Sequence, residues 1–376
     1  MLDFTSSLYL SLKHPSRSLS PWAQITTGVP AVLGQPPLAR NVAAGLAALV
    51  GTQRATLSRS TLHAFWDLFL MLGERNATIY MDASLYPIPR WGIERAACHG
   101  VPVRTFRHYD SADLSQRLFE DSRRRRLPLV VADGFCTGCG RLAPIERYLA
   151  RTREFGGIVV LDDTQAIGVF GRSPSRAIPY GLGGGGSLRS KNLPDTSVIL
   201  VSSLAKGFGV PMAMIAGSAD RIRLFEALSK TMINSSPPSI ADLHAAEHAL
   251  QLNRECGDTL RSRLLTQVRR FRRGLLASGI RTGNSLFPMQ SLTLNPDAAP
   301  RLHRSLARLG IHAVLHRPGC RPEVTLSFLI TASHTSTAID LAVAATAHAI
   351  DASTSAPGPR AIMRALPMRL SSDCPT

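Results

Sequence analysis

The stretch that decides the fold is "VILVSSLAKGFGVPMAMIAGS", residues 198–218, an apolar run followed by a lysine in a glycine-rich turn. Lysine is scarce in this chain: of the 43 Lys and Arg residues, 39 are arginine, and lysine occurs only at positions 13, 191, 206 and 230. An arginine guanidinium stays protonated, whereas a lysine amine can lose its proton and attack a carbonyl carbon. We therefore predict that Lys206 is a nucleophile that forms a Schiff base.

Three short runs are continuously apolar and end in polar or small residues: "LPLVVADGF" (127–135), "GGIVVLDDT" (156–164) and "TSVILVSSL" (196–204). This pattern is typical of strands buried on both faces of a parallel sheet. Helical patterns such as "LARNVAAGLAALVG" and "APIERYLARTREFG" alternate with them. The sequence thus predicts an α/β fold with a mainly parallel, doubly wound sheet. Ligands bind at the carboxyl ends of such strands, where Asp133, Asp162 and Lys206 lie.

The pattern changes near residue 260, which predicts a second, smaller α+β domain. A long arginine-rich amphipathic helix is followed by short strands in "SLFPMQSLTLN", "IHAVLH" and "EVTLSFLIT" and by a last helix, "STAIDLAVAATAHAI". We place the large α/β domain at residues 46–260 and the C-terminal part of the small domain at 261–351. Residues 352–376 are rich in Pro, Ser and Thr without periodicity, which predicts a disordered tail.

The net charge of +17 is the most unusual feature of the composition. The arginines are spread along the chain, and the one dense run, Arg123 to Arg126, precedes an apolar strand without interleaved aromatic residues. We interpret that run as a solvated loop or helix end, so that nucleic-acid binding is disfavoured. No secretory segment is recognisable and no apolar run approaches the roughly 18 residues of a spanning helix. We expect no membrane association, a cytoplasmic location and reduced thiols.

The six cysteines include one close pair, Cys136 and Cys139 in "CTGC". This spacing occurs in zinc and redox sites, but a zinc site needs two further ligands and the sequence shows no second pair. We interpret both cysteines as loop residues beside the end of a strand, without a metal.

A site for pyridoxal phosphate needs a lysine amine, a carboxylate facing the pyridine nitrogen, a flat side chain over the ring, and hydroxyl or N–H donors for the phosphate. Asp162 ends one buried strand and Lys206 follows another, 44 residues later. Ser203 lies three residues before the lysine, and Ser60 and Thr61 begin a helix in "SRSTLHAF". The order of these residues favours that cofactor.

The chain resembles the α-oxoamine synthases, which are fold type I pyridoxal-phosphate enzymes of the aminotransferase superfamily. The resemblance runs from "DFTSSLYLSL" to "SFLITASHTSTAIDLAV". Its most specific part is "SSLAKGFGV", which is similar to the family's lysine turn and implies that Lys206 is the Schiff-base residue. "VVLDDTQAIGVFG" implies that Asp162 faces the pyridine nitrogen, and that Gln165 stands where the family has a histidine at the ring hydroxyl.

Other cofactor contacts follow from the same resemblance. Thr137 falls on a serine beside the cofactor, and Tyr86 falls on the histidine that stacks on the ring. The turn "SRSTLHAF" resembles the phosphate-binding turn and implies roles for Ser60, Thr61 and Leu62, with Thr61 in place of a glycine. "MINSSPP" resembles the segment that reaches the phosphate of the other subunit, here through Ser236.

The substrate half of the site departs from the family. Ser7, in "TSSLYL", replaces an asparagine, and "VTLSF" puts Thr325 and Ser327 where the family has an arginine for the substrate carboxylate. Arg317 and Arg321, in "HRPGCRPE", are the candidates for that task.

The resemblance implies a homodimer in which the segment 1–45 joins the small domain. It also implies an acyltransferase that joins an amino acid to an acyl thioester of coenzyme A or a carrier protein, usually with loss of carboxylate. Two alternatives stay open: a pyridoxal-phosphate aminotransferase acting on an altered substrate, and a basic nucleic-acid binder on a borrowed fold.

Overall fold

The computed structural model describes residues 1–193, 196–295 and 297–355. The strands are β1 (Leu2–Asp3), β2 (Arg54–Ser58), β3 (Ala77–Asp82), β4 (Val103–Phe106), β5 (Leu127–Asp133), β6 (Phe135–Cys136), β7 (Arg141–Leu142), β8 (Ile158–Asp162), β9 (Val198–Ser203), β10 (Ala213–Gly217), β11 (Met289–Ser291), β12 (Ile311–His312), β13 (Val314–His316) and β14 (Thr325–Leu329). The α-helices are α1 (Pro37–Val50), α2 (Thr61–Gly73), α3 (Pro87–Cys98), α4 (Ser111–Asp121), α5 (Ile145–Arg153), α6 (Gly186–Ser190), α7 (Ala219–Leu228), α8 (Lys230–Asn234), α9 (Ile240–Ala277), α10 (Ala298–Arg308) and α11 (Ser336–Ser355).

The main sheet has seven strands in the order β2-β10-β9-β8-β5-β3-β4. The five strands from β9 to β4 are parallel, and β10 runs antiparallel to both of its neighbours. Alternate residues of each central strand enter different apolar layers: Val159 and Leu161 pack on one face of β8, and Val160 packs on the other. Helices therefore cover both faces of the sheet, which is why these strands are apolar throughout. The predicted α/β class is confirmed.

A smaller unit is built around the antiparallel sheet β11-β14-β13. The sheet packs against α10, and α10 packs against α11. The start of the chain lies on this unit, because Leu2 pairs with Ile311 in the parallel ladder β1–β12. The N–H of Leu329 also donates to the carbonyl of Phe4 at 2.8 Å.

Two of the expected boundaries fall inside helices. The boundary at 260/261 lies within α9, which runs unbroken for 38 residues from a capping box formed by Ser239 and Asp242. The change of composition near residue 260 reflects a change of neighbours, since α9 packs against α1 of the large domain and against α11 of the small one. Similarly, α1 crosses the boundary at 45/46.

The predicted start of the tail at residue 352 also falls inside a helix. Residues 352–355 continue α11, because the alanine-rich turn before them propagates the helix past the last strongly apolar position. Residues 356–376 lie outside the described residues.

Candidate active site

A cavity of about 570 Å³ opens at the carboxyl ends of β5, β8 and β9. It has the size of an ordinary small-molecule site. The side chains of Asp162 and Lys206 both line it. The other polar side chains that line it are those of Thr61, Ser84, Tyr86, Arg90, Asp133, Cys136, Thr137, Thr164, Gln165, Ser203, His316 and Arg317.

Lys206 projects into this cavity from the turn after β9. Its Nζ lies 5.9 Å from the centroid of the Tyr86 ring, which forms part of the cavity wall. Burial lowers the pKa of the Lys206 amine, and the nearby carboxyls of Asp162 and Asp133 oppose that shift. The amine is therefore closer to its neutral, nucleophilic form than an exposed lysine would be.

Two carboxyl groups stand side by side on adjacent strands, since Asp133 and Asp162 are partners in the β5–β8 register. Burial raises the pKa of Asp162, while hydrogen bonds from Thr164 and the charge of Lys206 lower it. The Thr164 N–H donates to Asp162 Oδ1 at 3.0 Å. Burial and the neighbouring Asp162 raise the pKa of Asp133. Ionised Asp162 is thus favoured only when a cationic or proton-donating group faces it.

Close backbone packing fixes the lysine turn. A Cβ added at Gly207 would come within 2.5 Å of the carbonyl oxygen of Ile167, and Gly168 has a φ of +82° beside it. The N–H of Ser203 donates to Thr164 Oγ1 at 3.0 Å. The turn after β9 and the turn after β8 are therefore in direct contact, which brings Lys206 and Asp162 to one cavity.

The buried Tyr9 does not itself line the cavity, but it contacts a residue that does, and the sequence pattern did not indicate it. Its hydroxyl donates to Gln165 Oε1 at 2.9 Å. Because the amide oxygen is occupied by this bond, the Gln165 NH₂ group is left as a hydrogen-bond donor. Tyr9 belongs to the same "TSSLYL" segment as Ser7, which does not line the cavity.

The predicted phosphate turn begins α2. Ser60 is the N-cap, and its Oγ accepts from the His63 N–H at 3.4 Å. Thr61 lines the cavity, whereas the side chain of Leu62 is exposed. The N–H groups of the first helical turn have no partner within the helix, so an anion is favoured there. Ser236 lines a different, small cavity beside Arg59 and His63.

Only one of the two arginines predicted to bind the substrate carboxylate lines the cavity. Arg317 lines the cavity, whereas Arg321 is exposed and does not. Thr325 and Ser327 are buried on β14, where Ser327 Oγ lies 2.9 Å from His316 Nε2. His316 and Arg90 line the cavity although nothing in the sequence pattern indicated them. The Arg90 guanidinium is held by the carbonyl of Ala83 at 3.0 Å.

Comparison with known proteins identifies the class of enzyme to which the chain belongs. The family model "Aminotransferase class I and II" matches residues 32–345. A solved serine palmitoyltransferase with pyridoxal phosphate matches with a TM-score of 0.81 at 19% identity, over 93% of this chain and 87% of that one. The 8-amino-7-oxononanoate synthase of Francisella tularensis matches with a TM-score of 0.71 at 18% identity, over 94% of this chain and 98% of that one. Fold and family model together define a fold type I, pyridoxal-phosphate-dependent transferase.

Relatives found by sequence similarity identify the family within that class. The 8-amino-7-oxononanoate synthase of Alkalilimnicola ehrlichii is 30% identical over 322 residues, which is 84% of this chain and 77% of that protein. The chain belongs to the α-oxoamine synthases of the class I and II aminotransferase family. The predicted resemblance and its cofactor, pyridoxal phosphate, are therefore confirmed.

The residues of the cavity fit that cofactor. The cavity offers a buried lysine of lowered pKa, a buried acid that needs a cationic or proton-donating partner, and an amide NH₂ group at Gln165. The lysine suits the aldehyde carbon of the cofactor, the acid suits its protonated ring nitrogen, and the amide suits its ring oxygen. Thr61 at the start of α2 brings a helix N-terminus to the same cavity, which suits the phosphate.

Proposed function

We propose that the chain is an acyltransferase that joins an amino acid to an acyl thioester of coenzyme A or a carrier protein, with loss of the amino-acid carboxylate. The observation that carries the proposal is the meeting of Lys206 and Asp162 in one cavity of sufficient size, within an α-oxoamine synthase fold. The relatives named 8-amino-7-oxononanoate synthase support the reaction type.

We assign each contact to the cofactor to a residue in or near the cavity. Lys206 would hold the aldehyde carbon through its amine, and Asp162 would face the ring nitrogen. The Gln165 amide would donate to the ring oxygen, and the Tyr86 ring would cover one ring face. Donors for the phosphate would come from the hydroxyls of Ser60, Thr61 and Ser203 and from the backbone N–H of Leu62. Thr137 would lie at the side of the ring. When bound, pyridoxal phosphate withdraws electrons from the bond that breaks at the amino-acid α-carbon.

Residues of the chain would also transfer the proton at the α-carbon, keep the ring nitrogen protonated and bind the substrate carboxylate. The amine of Lys206, with its pKa lowered by burial, takes a proton from the α-carbon and returns one to the product. With the cofactor bound, ionised Asp162 would keep the ring nitrogen protonated. Arg317, at the cavity mouth, binds the substrate carboxylate in place of the missing family arginine.

The assembly and the location are part of the same proposal. We infer a homodimer, in which Ser236, outside this chain's own cavity, contributes to the phosphate site of the second copy. Among the described residues no helix combines the length and apolarity needed to cross a bilayer. We propose a cytoplasmic location.

An aminotransferase is the second candidate, because Gln165 replaces a histidine and the family's carboxylate arginine is absent. Holoenzyme incubated with a panel of amino acids, with and without acyl-coenzyme A, separates the two. An acyltransferase releases free coenzyme A thiol and carbon dioxide only when both substrates are present. Keto acid and aminated cofactor formed from an amino acid alone, with no thioester consumption, would establish the aminotransferase instead.

Tyr9→Phe is expected to weaken cofactor binding about 2- to 10-fold, the worth of one hydrogen bond. The change removes the hydroxyl that holds Gln165 Oε1, so the amide is free to turn its NH₂ group away from the cavity. Fluorescence titration of cofactor-free protein with pyridoxal phosphate measures the dissociation constant.

Tyr180→Phe is the matched control for that experiment. Tyr180 is equally buried and donates to the carbonyl of Leu286 at 2.6 Å, but it does not line the cavity. It should lose a similar amount of stability and keep its cofactor affinity. Equal cofactor affinities for the two variants would contradict a positioning role for Tyr9.

A further inference from the structure

Three cysteines and one histidine from distant parts of the chain meet beside the cofactor cavity. Cys136 Sγ lies 3.6 Å from Cys320 Sγ, and His108 Nε2 lies 3.3 Å from Cys139 Sγ. Ligand atoms of His108, Cys136 and Cys320 all lie within 4.8 Å of one another. The "CTGC" pair, interpreted from sequence as loop residues without a metal, thus has two additional metal-binding side chains next to it.

These distances match a tetrahedral metal centre. With Zn–S of about 2.3 Å and Zn–N of about 2.0–2.1 Å, two sulfurs on one tetrahedral zinc are about 3.8 Å apart, and a sulfur and a nitrogen are about 3.6 Å apart. The observed Cys136–Cys320 and His108–Cys139 spacings of 3.6 and 3.3 Å are close to these values. Cys139 is not in the group of three that lie within 4.8 Å of one another, and it joins them through its contact with His108. We propose that His108, Cys136, Cys139 and Cys320 bind one structural Zn²⁺ ion.

A buried carboxylate orients the histidine for this role. His108 Nδ1 lies 2.8 Å from Oδ1 of Asp82, whose side chain is 1% exposed. Asp82 is itself fixed by the N–H groups of Ser84 at 2.8 Å and Tyr109 at 2.9 Å. With Nδ1 donating to the carboxylate, Nε2 presents its lone pair to the sulfurs. A carboxylate–histidine pair of this kind is the usual support of a zinc-bound imidazole.

The backbone around the pair is also shaped for thiolates. The N–H of Cys139 donates to Cys136 Sγ at 3.4 Å, and Gly140 adopts a φ of +71°. A Cβ at Gly138 would come within 2.4 Å of Cys320 Sγ, so only glycine lets the Cys320 loop approach this turn. The glycine at position 138 therefore allows Cys320 to lie close to the Cys136–Cys139 turn.

The metal would tie two walls of the cavity together. Cys136, on β6, and Thr137, directly after it, line the cavity on one side, and Arg317 and Gly319 line it from the loop before Cys320. Four protein ligands leave no open position, so the ion is structural. It fixes the loop that carries Arg317 to the large domain. The assignment does not rest on the proposed reaction.

The decisive measurement is the zinc content of full-length holoenzyme purified under reducing conditions from zinc-supplemented cells, by inductively coupled plasma mass spectrometry. We expect about one zinc per chain in the wild type. C320S and C136S should each lose most of it. C98S and C256S are the matched controls, because Cys98 is exposed and Cys256 Sγ contacts the carbonyl of Leu252. Both should keep the full amount.

Cobalt substitution gives an independent readout that needs no variant. Cofactor-free wild-type protein, stripped of metal and loaded with Co²⁺ alone, should show thiolate-to-cobalt charge-transfer absorption and the strong visible bands of a tetrahedral site. Metal removal should also lower the thermal midpoint by several degrees. Wild-type protein without zinc and without these bands would overturn the proposal. A Cys136–Cys320 disulfide under the same reducing conditions, identified by mass spectrometry, would also overturn it.

Discussion

Lys206→Ala is expected to reduce turnover about 10³-fold or more and to remove the visible absorption band of the lysine-bound cofactor. The amine is the group proposed both to hold the cofactor and to move the proton at the α-carbon, and the described residues offer no other lysine at the cavity. Measurement of thiol release from the acyl thioester, together with the visible spectrum of the reconstituted protein, tests the expectation.

Two further variants make this result specific. Lys206→Arg keeps a cation at the site but provides a guanidinium that does not deprotonate, so it should be as inactive as the alanine variant. Lys230→Ala removes an exposed lysine at the start of α8 and should leave both turnover and the spectrum unchanged. An alanine variant at position 206 that retained the band and a tenth of the activity would contradict the assignment.

The parts of the fold that were predictable from sequence are those governed by local pattern. The runs that form β5, β8 and β9 are apolar on both faces and end in polar residues, so strand type and the functional edge of the sheet followed directly. The turn "SSLAKGFGV" was informative for a similar reason, because its Gly207 is required by the close approach to the backbone of Ile167. These local patterns indicated Lys206 and Asp162, which the structure brings to one cavity.

The parts that were not predictable depend on contacts between distant residues. Tyr9 reaches Gln165 across 156 positions, and Cys320 reaches Cys136 across 184. Neither pair has a recognisable sequence spacing. Nothing in the sequence around Tyr9 or Cys320 therefore indicated its partner. The predicted boundary at 260/261 falls inside a helix for another reason: α9 changes neighbours without changing structure.

Asp162→Asn is expected to reduce turnover about 10²- to 10³-fold while making the cofactor-free protein more stable at neutral pH. The neutral amide cannot keep the ring nitrogen protonated, so the electron withdrawal on which the chemistry depends is lost. Turnover at saturating cofactor measures the first effect. The thermal midpoint of cofactor-free protein, measured from pH 5 to pH 8, gives the second.

The sign of the stability effect follows from the raised pKa of Asp162. The folded protein binds that proton more tightly than the unfolded chain, in which an aspartate titrates near 3.9. The stabilisation from this proton is complete below the unfolded pKa and is lost as the pH rises through the folded one. Asparagine titrates nowhere in this range, so the stability advantage of the variant should grow from pH 5 to pH 8.

Asp163→Asn separates the chemical role of Asp162 from burial alone. Burial raises the pKa of Asp163 to about 6, and its Oδ2 accepts from the Ser187 N–H at 2.9 Å, but its side chain does not line the cavity. This variant should also gain stability as the pH rises and keep its turnover within about threefold of wild type, since no contact to cofactor or substrate changes. Equal losses of turnover at the two positions would mean that Asp162 acts through packing, because a ring-nitrogen partner is needed at only one of them.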